Sequence, residues 1–195
     1  MLLVSKMKPI IIIEHLETKV WPWCLIEYQS ISKILKRSNL WFTNIKENKS
    51  KLKKLGKIFK KSVININLED ICVLDPDAKK TLSPKEAKKF KYFIIGGILG
   101  DYPPKKRTKI ELTRKLKKTQ ARNIGKKQFS TDNAVYVLKK IIDGTPLIKM
   151  KFQNKIIIPI NKIESIELPY YYPLINNKPR ISKNLLRYLK NKKEF

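Results

Sequence analysis

Two glycine-bearing stretches hold the residue types that chemistry could use. The first, Gly96-Gly97-Ile98-Leu99-Gly100-Asp101, follows the short apolar, aromatic run Tyr92 to Ile95. Glycines just past a buried strand let the backbone turn sharply and come close to a ligand, because no Cβ intervenes. The second stretch, Asn123 to Gln128, precedes Ser130-Thr131-Asp132, a cluster suited to starting a helix. Two such loops could cradle a nucleotide-like ligand between them. A third group, Glu14-His15-Leu16-Glu17, stands at the carboxyl end of the apolar run Ile10 to Ile13, and open α/β sheets bind ligands at that end of their strands.

Other chemistries find little support. GGILGD is not the GxGxxG fingerprint and lacks the Gly-Lys-Ser/Thr of a P-loop. A Ser-His-Asp hydrolase would need His15, with no nucleophile elbow in sight. Cys24 and Cys72 cannot build a disulfide framework and show no paired-ligand spacing, and a single histidine leaves little for a metal site.

The elements that must position these groups alternate along the chain. Ile10 to Ile13, Leu40 to Thr43, Ile71 to Leu74 and Tyr92 to Ile95 read as strands, the continuous apolar ones as buried parallel strands. Val20 to Leu35 reads as a helix, as does a segment opened by Ser83-Pro84-Lys85-Glu86. Lys46 to Lys61 is expected to be a basic amphipathic helix, its lysines either touching phosphates or forming a wet face. Pro103-Pro104-Lys105-Lys106-Arg107-Thr108 leads into a further helix. The helix begun at Ser130 carries Ala134, Val135, Val137, Leu138, Ile141 and Ile142. Leu147 to Phe152 and Lys155 to Ile160 could pair as strands, and Ser182 to Lys193 reads as a basic helix with Leu185, Leu186 and Leu189 on one face. This alternation makes the fold α/β.

Composition bounds the partners. A chain of 195 residues suits one domain, or one with a small appendage, and its formal net charge of +28 favours polyanionic partners such as RNA. The competing reading is that the lysines are merely solvated. No apolar run is long enough to span a bilayer, and the opening MLLVSKMKPIIII lacks a cleavage-site pattern. A cytoplasmic protein without membrane contact is expected.

LDPDAKKTLSP, FIIGGILGDYPPKKRT and RNIGKKQFSTDNAV together resemble the signature blocks of a SPOUT-superfamily methyltransferase family, and IIIEHLE with Glu27-Tyr28 resembles its start. That family holds predicted S-adenosylmethionine-dependent RNA methyltransferases and a eukaryotic arginine methyltransferase of a small-subunit ribosomal protein. The resemblance covers residues 7–172, the expected methyltransferase domain, and leaves 173–195 as a basic C-terminal extension. It implies a SPOUT-type, mostly parallel sheet flanked by helices, with a C-terminal deep trefoil knot and the cofactor region at about 92–143. No periodicity would suggest a knot, since threaded topologies are very rare. QFSTDNA departs mildly from the family's pattern, and Tyr171 stands where an Arg is usual.

The implied S-adenosylmethionine site takes Gly96, Gly97, Ile98, Gly100 and Asp101 as one wall, and Asn123, Ile124, Gly125 and Gln128 as the other. Ser130, Thr131 and Asp132 would close it. A sulfonium already activates its methyl group, so positioning supplies much of the acceleration and a carboxylate near the acceptor takes one proton. Glu14, His15, Glu17 and Asp101 are the catalytic candidates, Arg107 is the substrate-binding one, and no metal is implied. Three functions stay open. The charge tips the balance to an RNA or ribosomal-subunit methyltransferase. A protein arginine N-methyltransferase acting on a ribosomal protein is the alternative, and a non-catalytic RNA-binding module the third. A homodimer is a further expectation from the superfamily.

Overall fold

The structure, a computed structural model, describes residues 8–161 and 163–191. Six strands, β1 (Ile10–His15), β2 (Leu40–Thr43), β3 (Lys57–Ile58), β4 (Ile71–Leu74), β5 (Tyr92–Gly97) and β6 (Gln120–Arg122), form one sheet in the order β3-β2-β1-β5-β4-β6. Every pairing in it is parallel. Successive side chains of a strand face opposite ways, so β1 divides its isoleucines between two cores. Ile11 and Ile13 pack under α1 (Pro22–Ile34) and α4 (Thr131–Ile142) with Phe42, Phe93, Ile31 and Leu138. Ile12 packs on the other face with Val63, Val73, Ile94 and Leu112. Burial on both faces is why these strands read as continuous apolar runs.

A second, antiparallel sheet follows: β7 (Phe152–Pro159), β8 (Ser165–Ile175) and β9 (Lys178–Pro179). Its apolar face, with Ile156, Ile158, Leu168 and Tyr172, closes on Leu185 and Leu189 of α5 (Lys183–Asn191) and on Trp23 and Ile26 of α1. Residue 172, the expected end of the main domain, lies within β8, which continues to Ile175.

Three expected elements differ. Lys46–Lys61 is not one helix: α2 spans only Lys49–Lys53, and the chain then pairs as β3 beside β2. Gly56 permits this close approach, since a Cβ there would lie 2.5 Å from the Leu40 carbonyl oxygen. Leu147–Lys149 forms a 3₁₀ turn after Pro146, so β7 begins at Phe152 and pairs with β8 instead of with its own upstream segment. The helix expected after Pro103-Pro104 is a π-helical turn over Lys109–Thr113. A further short helix is α3 (Pro84–Ala87), capped by Ser83, whose hydroxyl accepts from the Glu86 amide. No helix among the described residues is long and apolar enough to cross a membrane.

Candidate active site

A cavity of about 210 Å³ opens at the carboxyl ends of β4, β5 and β6. Leu74, Ile95, Ile124, Phe129 and Ala134 form its apolar wall, and Asp75, Asp77 and Asp101 bring carboxylates to its rim. Gly96, Ile98 and Gly100 line one side, with Gly125, Gln128 and Thr131 on the other. The two glycine-bearing loops therefore do face each other across one space.

Each loop is held from behind. Gly100 has φ +78°, and a Cβ on it would lie 2.6 Å from Gln128 Nε2 and 2.8 Å from Tyr170 Cε1. Left-handed backbone in such close quarters requires glycine. Tyr170 of β8 donates its hydroxyl to the Leu99 carbonyl at 2.6 Å, and the Tyr171 amide donates to the Gln128 carbonyl at 2.8 Å. Burial pushes the Tyr170 hydroxyl up to about 12, so it stays protonated and donating at neutral pH. Tyr170 and Tyr171 thus brace the site from the second sheet. Tyr171 itself stacks on Phe152, ring centroids 4.7 Å apart.

Several expected site residues have other duties. Gly97 faces away from the cavity, where a Cβ would lie 2.4 Å from the Tyr28 hydroxyl. Asn123 accepts from Thr81 Oγ1 and the Gly125 amide and donates to the Ala78 carbonyl, tying the second loop to the chain after β4. Glu14 lies on the Ile12 face of β1, where its carboxylate accepts from the Val63 amide at 2.9 Å and from Thr43 Oγ1. His15, on the other face, shares a 2.8 Å hydrogen bond through Nδ1 with the Tyr28 hydroxyl, and its buried Nε2 has no hydrogen-bond partner among the described residues. Burial lowers its pKa from the ordinary imidazole value, against the opposing pull of Glu17. Neither residue lines the cavity.

Glu17 and Arg107 form a brace. Arg107 Nη1 donates to Glu17 Oε1 at 2.7 Å, its Nε to Glu111 Oε1 at 2.7 Å and its Nη2 to the Leu16 carbonyl, while the Leu99 amide also donates to Glu17. Burial disfavours the Arg107 charge, but the two carboxylates outweigh it and raise its pKa. Arg107 reaches the cavity wall with its hydrogen-bonding capacity largely spent on its own chain.

Behind the cavity, Ser130 and Asp132 turn towards α1. Asp132 accepts from Ser130, Ser30 and Arg180, the last at 2.8 Å, and Glu27 accepts from Trp23 Nε1 and from the Thr131 amide at the start of α4. Burial, then the neighbouring Asp132, pushes the Glu27 carboxyl up to about 8. Of the four catalytic candidates, only Asp101 lines the cavity, where Lys105 pairs with it at 3.0 Å. Asp75 and Asp77 were missed, although the sequence shows them directly after β4, at a strand's ligand-binding end. Asp75 accepts from the Asp77 amide and from Thr113 Oγ1, and Asp77 faces Lys109 at 3.7 Å. The described residues contain no group of three or more His, Cys, Asp or Glu arranged to hold a metal.

The comparisons with known proteins converge on this architecture. A family model for SFM1-like protein arginine N-methyltransferases matches residues 10–194. The protein arginine N-methyltransferase SFM1 of Saccharomyces cerevisiae is 34% identical over 198 residues, covering 92% of this chain and 93% of the yeast protein. The crystal structure of the yeast enzyme complexed with SAM superposes with a TM-score of 0.86 at 34% identity, covering 94% of this chain and 91% of that one. A dual-specific Trm10 of Thermococcus kodakaraensis, at 19% identity and a TM-score of 0.53 over 72% of this chain and 95% of its own, shares the fold alone.

Proposed function

The chain belongs to the SFM1-like protein arginine N-methyltransferase family and is an S-adenosylmethionine-dependent methyltransferase, and we propose that its acceptor is an arginine of a small-subunit ribosomal protein. The preference for an RNA acceptor is thereby corrected: net charge reports on the whole surface, whereas the acceptor is chosen by the few groups around one cavity. The observation that carries the reading is the cavity between the two glycine-bearing loops, in a chain that follows the yeast enzyme along nearly its whole length.

The residues present fit the cofactor. Ile95, Ile124, Phe129 and Ala134 offer an apolar wall for a purine, Asp75 and Asp77 offer carboxylates for hydroxyl or ammonium donors, and Gly125, at φ +112°, keeps the second loop's backbone open. Bound S-adenosylmethionine supplies an electrophilic methyl group. Asp101 is the group we assign to the acceptor: a carboxylate there pairs with the incoming guanidinium in place of Lys105, aligns one nitrogen and takes the proton that nitrogen loses. Glu17, Arg107 and Tyr170 hold the first loop in place during this exchange.

Tritiated S-adenosylmethionine incubated with undermodified small ribosomal subunits tests the reading. Label released from protein as methylarginine is expected, and label confined to nuclease-sensitive material would overturn it. We further infer that the chain over about 92–143 is threaded as a trefoil knot, on the resemblance of its signature blocks and the fold shared with the archaeal Trm10. Pulling the two ends apart in an optical trap should leave the extended chain shorter than its full contour, and full extension would exclude the knot.

A further inference from the structure

At the opposite edge of the parallel sheet from β6 lies a second concavity of about 810 Å³. Its walls carry Arg37, Lys49, Lys53, Lys57 and Lys60, and Trp41 contributes to its floor. Among the described residues no acidic side chain lines it, and none of the five cations forms an ion pair. The contrast within the molecule is sharp, since Arg107, Arg122 and Arg180 are each paired with a carboxylate. Like charges gathered in a concave wall repel one another, and an anionic partner relieves that repulsion.

The floor is rigid. Trp41 packs on Phe59 and Tyr92, with ring centroids 4.8 and 5.7 Å away, and Lys57 Nζ stands 5.0 Å from both the Trp41 and Phe59 centroids. Gly56 lets β3 close against β2 beneath these rings. The result is a basic trough with a packed aromatic surface, the combination that binds single nucleic-acid strands by phosphate pairing and base stacking.

We propose that this groove is a binding site for single-stranded RNA, separate from the methyl-transfer cavity and used for docking, not for chemistry. A duplex fits it poorly, because reading a major groove needs a protruding helix or ribbon and α2 has only five residues. The loops, bulges and ends of folded RNA do reach concave sites, with their bases splayed out. A bilayer is disfavoured, since none of the exposed large apolar side chains among the described residues lies in the groove to insert into it.

The test uses the full chain, a short fluorescent oligouridylate and anisotropy at several salt concentrations. The triple variant Lys49→Glu, Lys53→Glu, Lys57→Glu should bind about tenfold or more weakly, with its log–log salt slope reduced by about 2. A control triple with the same charge change, Lys115→Glu, Lys117→Glu, Lys118→Glu, should stay within about threefold of the parent, because those lysines sit before β6 at the other edge. Methyl transfer to an arginine peptide should be unchanged in the groove triple, which also shows that it folds. In the unaltered chain, a 4-thiouridine oligonucleotide should photo-crosslink to the peptide holding Trp41. Equal losses in both triples, crosslinks only elsewhere, or tighter binding to oligothymidylate, a polyglutamate peptide or phosphatidylserine vesicles would each overturn the proposal.

Discussion

Arg180, in the segment after β9, lies with Nη1 2.8 Å from Asp132 Oδ2, joining the C-terminal part of the chain to the first turn of the helix behind the cavity. The same guanidinium also donates to Ser30 on α1 and to Asn133. One side chain thus fastens three parts of the molecule around a buried carboxylate.

Removing that side chain should be costly. Arg180→Met leaves Asp132 buried beside Glu27 without its counter-charge, which costs about 3 kcal/mol and should lower Tm by about 6–12 °C in a chain of this size. Adding Asp132→Asn should recover part of the loss, because the second substitution removes the uncompensated charge. Thermal melts of both variants check the expectation.

Glu27 makes stability depend on pH. Its carboxyl is raised from an ordinary 4.5 to about 8 by burial and by Asp132, so between those values the folded chain holds a proton that the unfolded chain releases. The stability that Glu27 contributes is therefore fully present below about pH 4.5 and is lost as pH rises through about 8. Glu27→Gln should flatten that decline, so that Tm falls a few degrees less than in the parent over the same range.

Gly100→Ala should weaken cofactor binding. The position has φ +78°, and the added Cβ meets Gln128 and Tyr170 within 2.8 Å. Strain of about 1–2 kcal/mol in this loop corresponds to roughly tenfold weaker binding of S-adenosylmethionine in calorimetry. Gly144→Ala is the control: its φ is +104°, but nothing lies within 4 Å of the added atom. It should lower Tm and leave cofactor affinity unchanged.

Asp101→Asn and Glu14→Gln should separate chemistry from architecture. Loss of the cavity carboxylate should reduce kcat about a hundredfold while S-adenosylmethionine binds as before. Glu14→Gln should lower Tm, since its carboxylate satisfies the Val63 amide and Thr43, and leave kcat near the parent value. The opposite pattern would move the catalytic role to β1.

Much of the parallel sheet was legible because strands buried on both faces leave unbroken apolar runs, as at Ile10 to Ile13 and Tyr92 to Ile95. β3 was hidden because Leu52, Leu55, Ile58 and Phe59 sit at helical spacing, while the Gly56 contact with Leu40 that decides the matter is long-range. The paired glycine loops could be read locally, but which of their residues face the cavity depends on what packs behind. Gly97 serves Tyr28, Asn123 serves the chain after β4, and Asp132 serves Arg180. Glu14 and His15 stand where a ligand-binding strand end should be, yet Val63, Thr43 and Tyr28 arrive from distant positions and occupy them.

The hydrogen bonds from Tyr170 to Leu99 and from Tyr171 to Gln128 place adjacent residues of one β-strand on both walls of the cavity. Any ligand that orders those walls must, by thermodynamic reciprocity, also raise the free energy needed for that strand to detach. Amide hydrogen exchange over Ser165–Ile175 is therefore a remote gauge of cofactor occupancy, some of it read at positions the cofactor itself never touches.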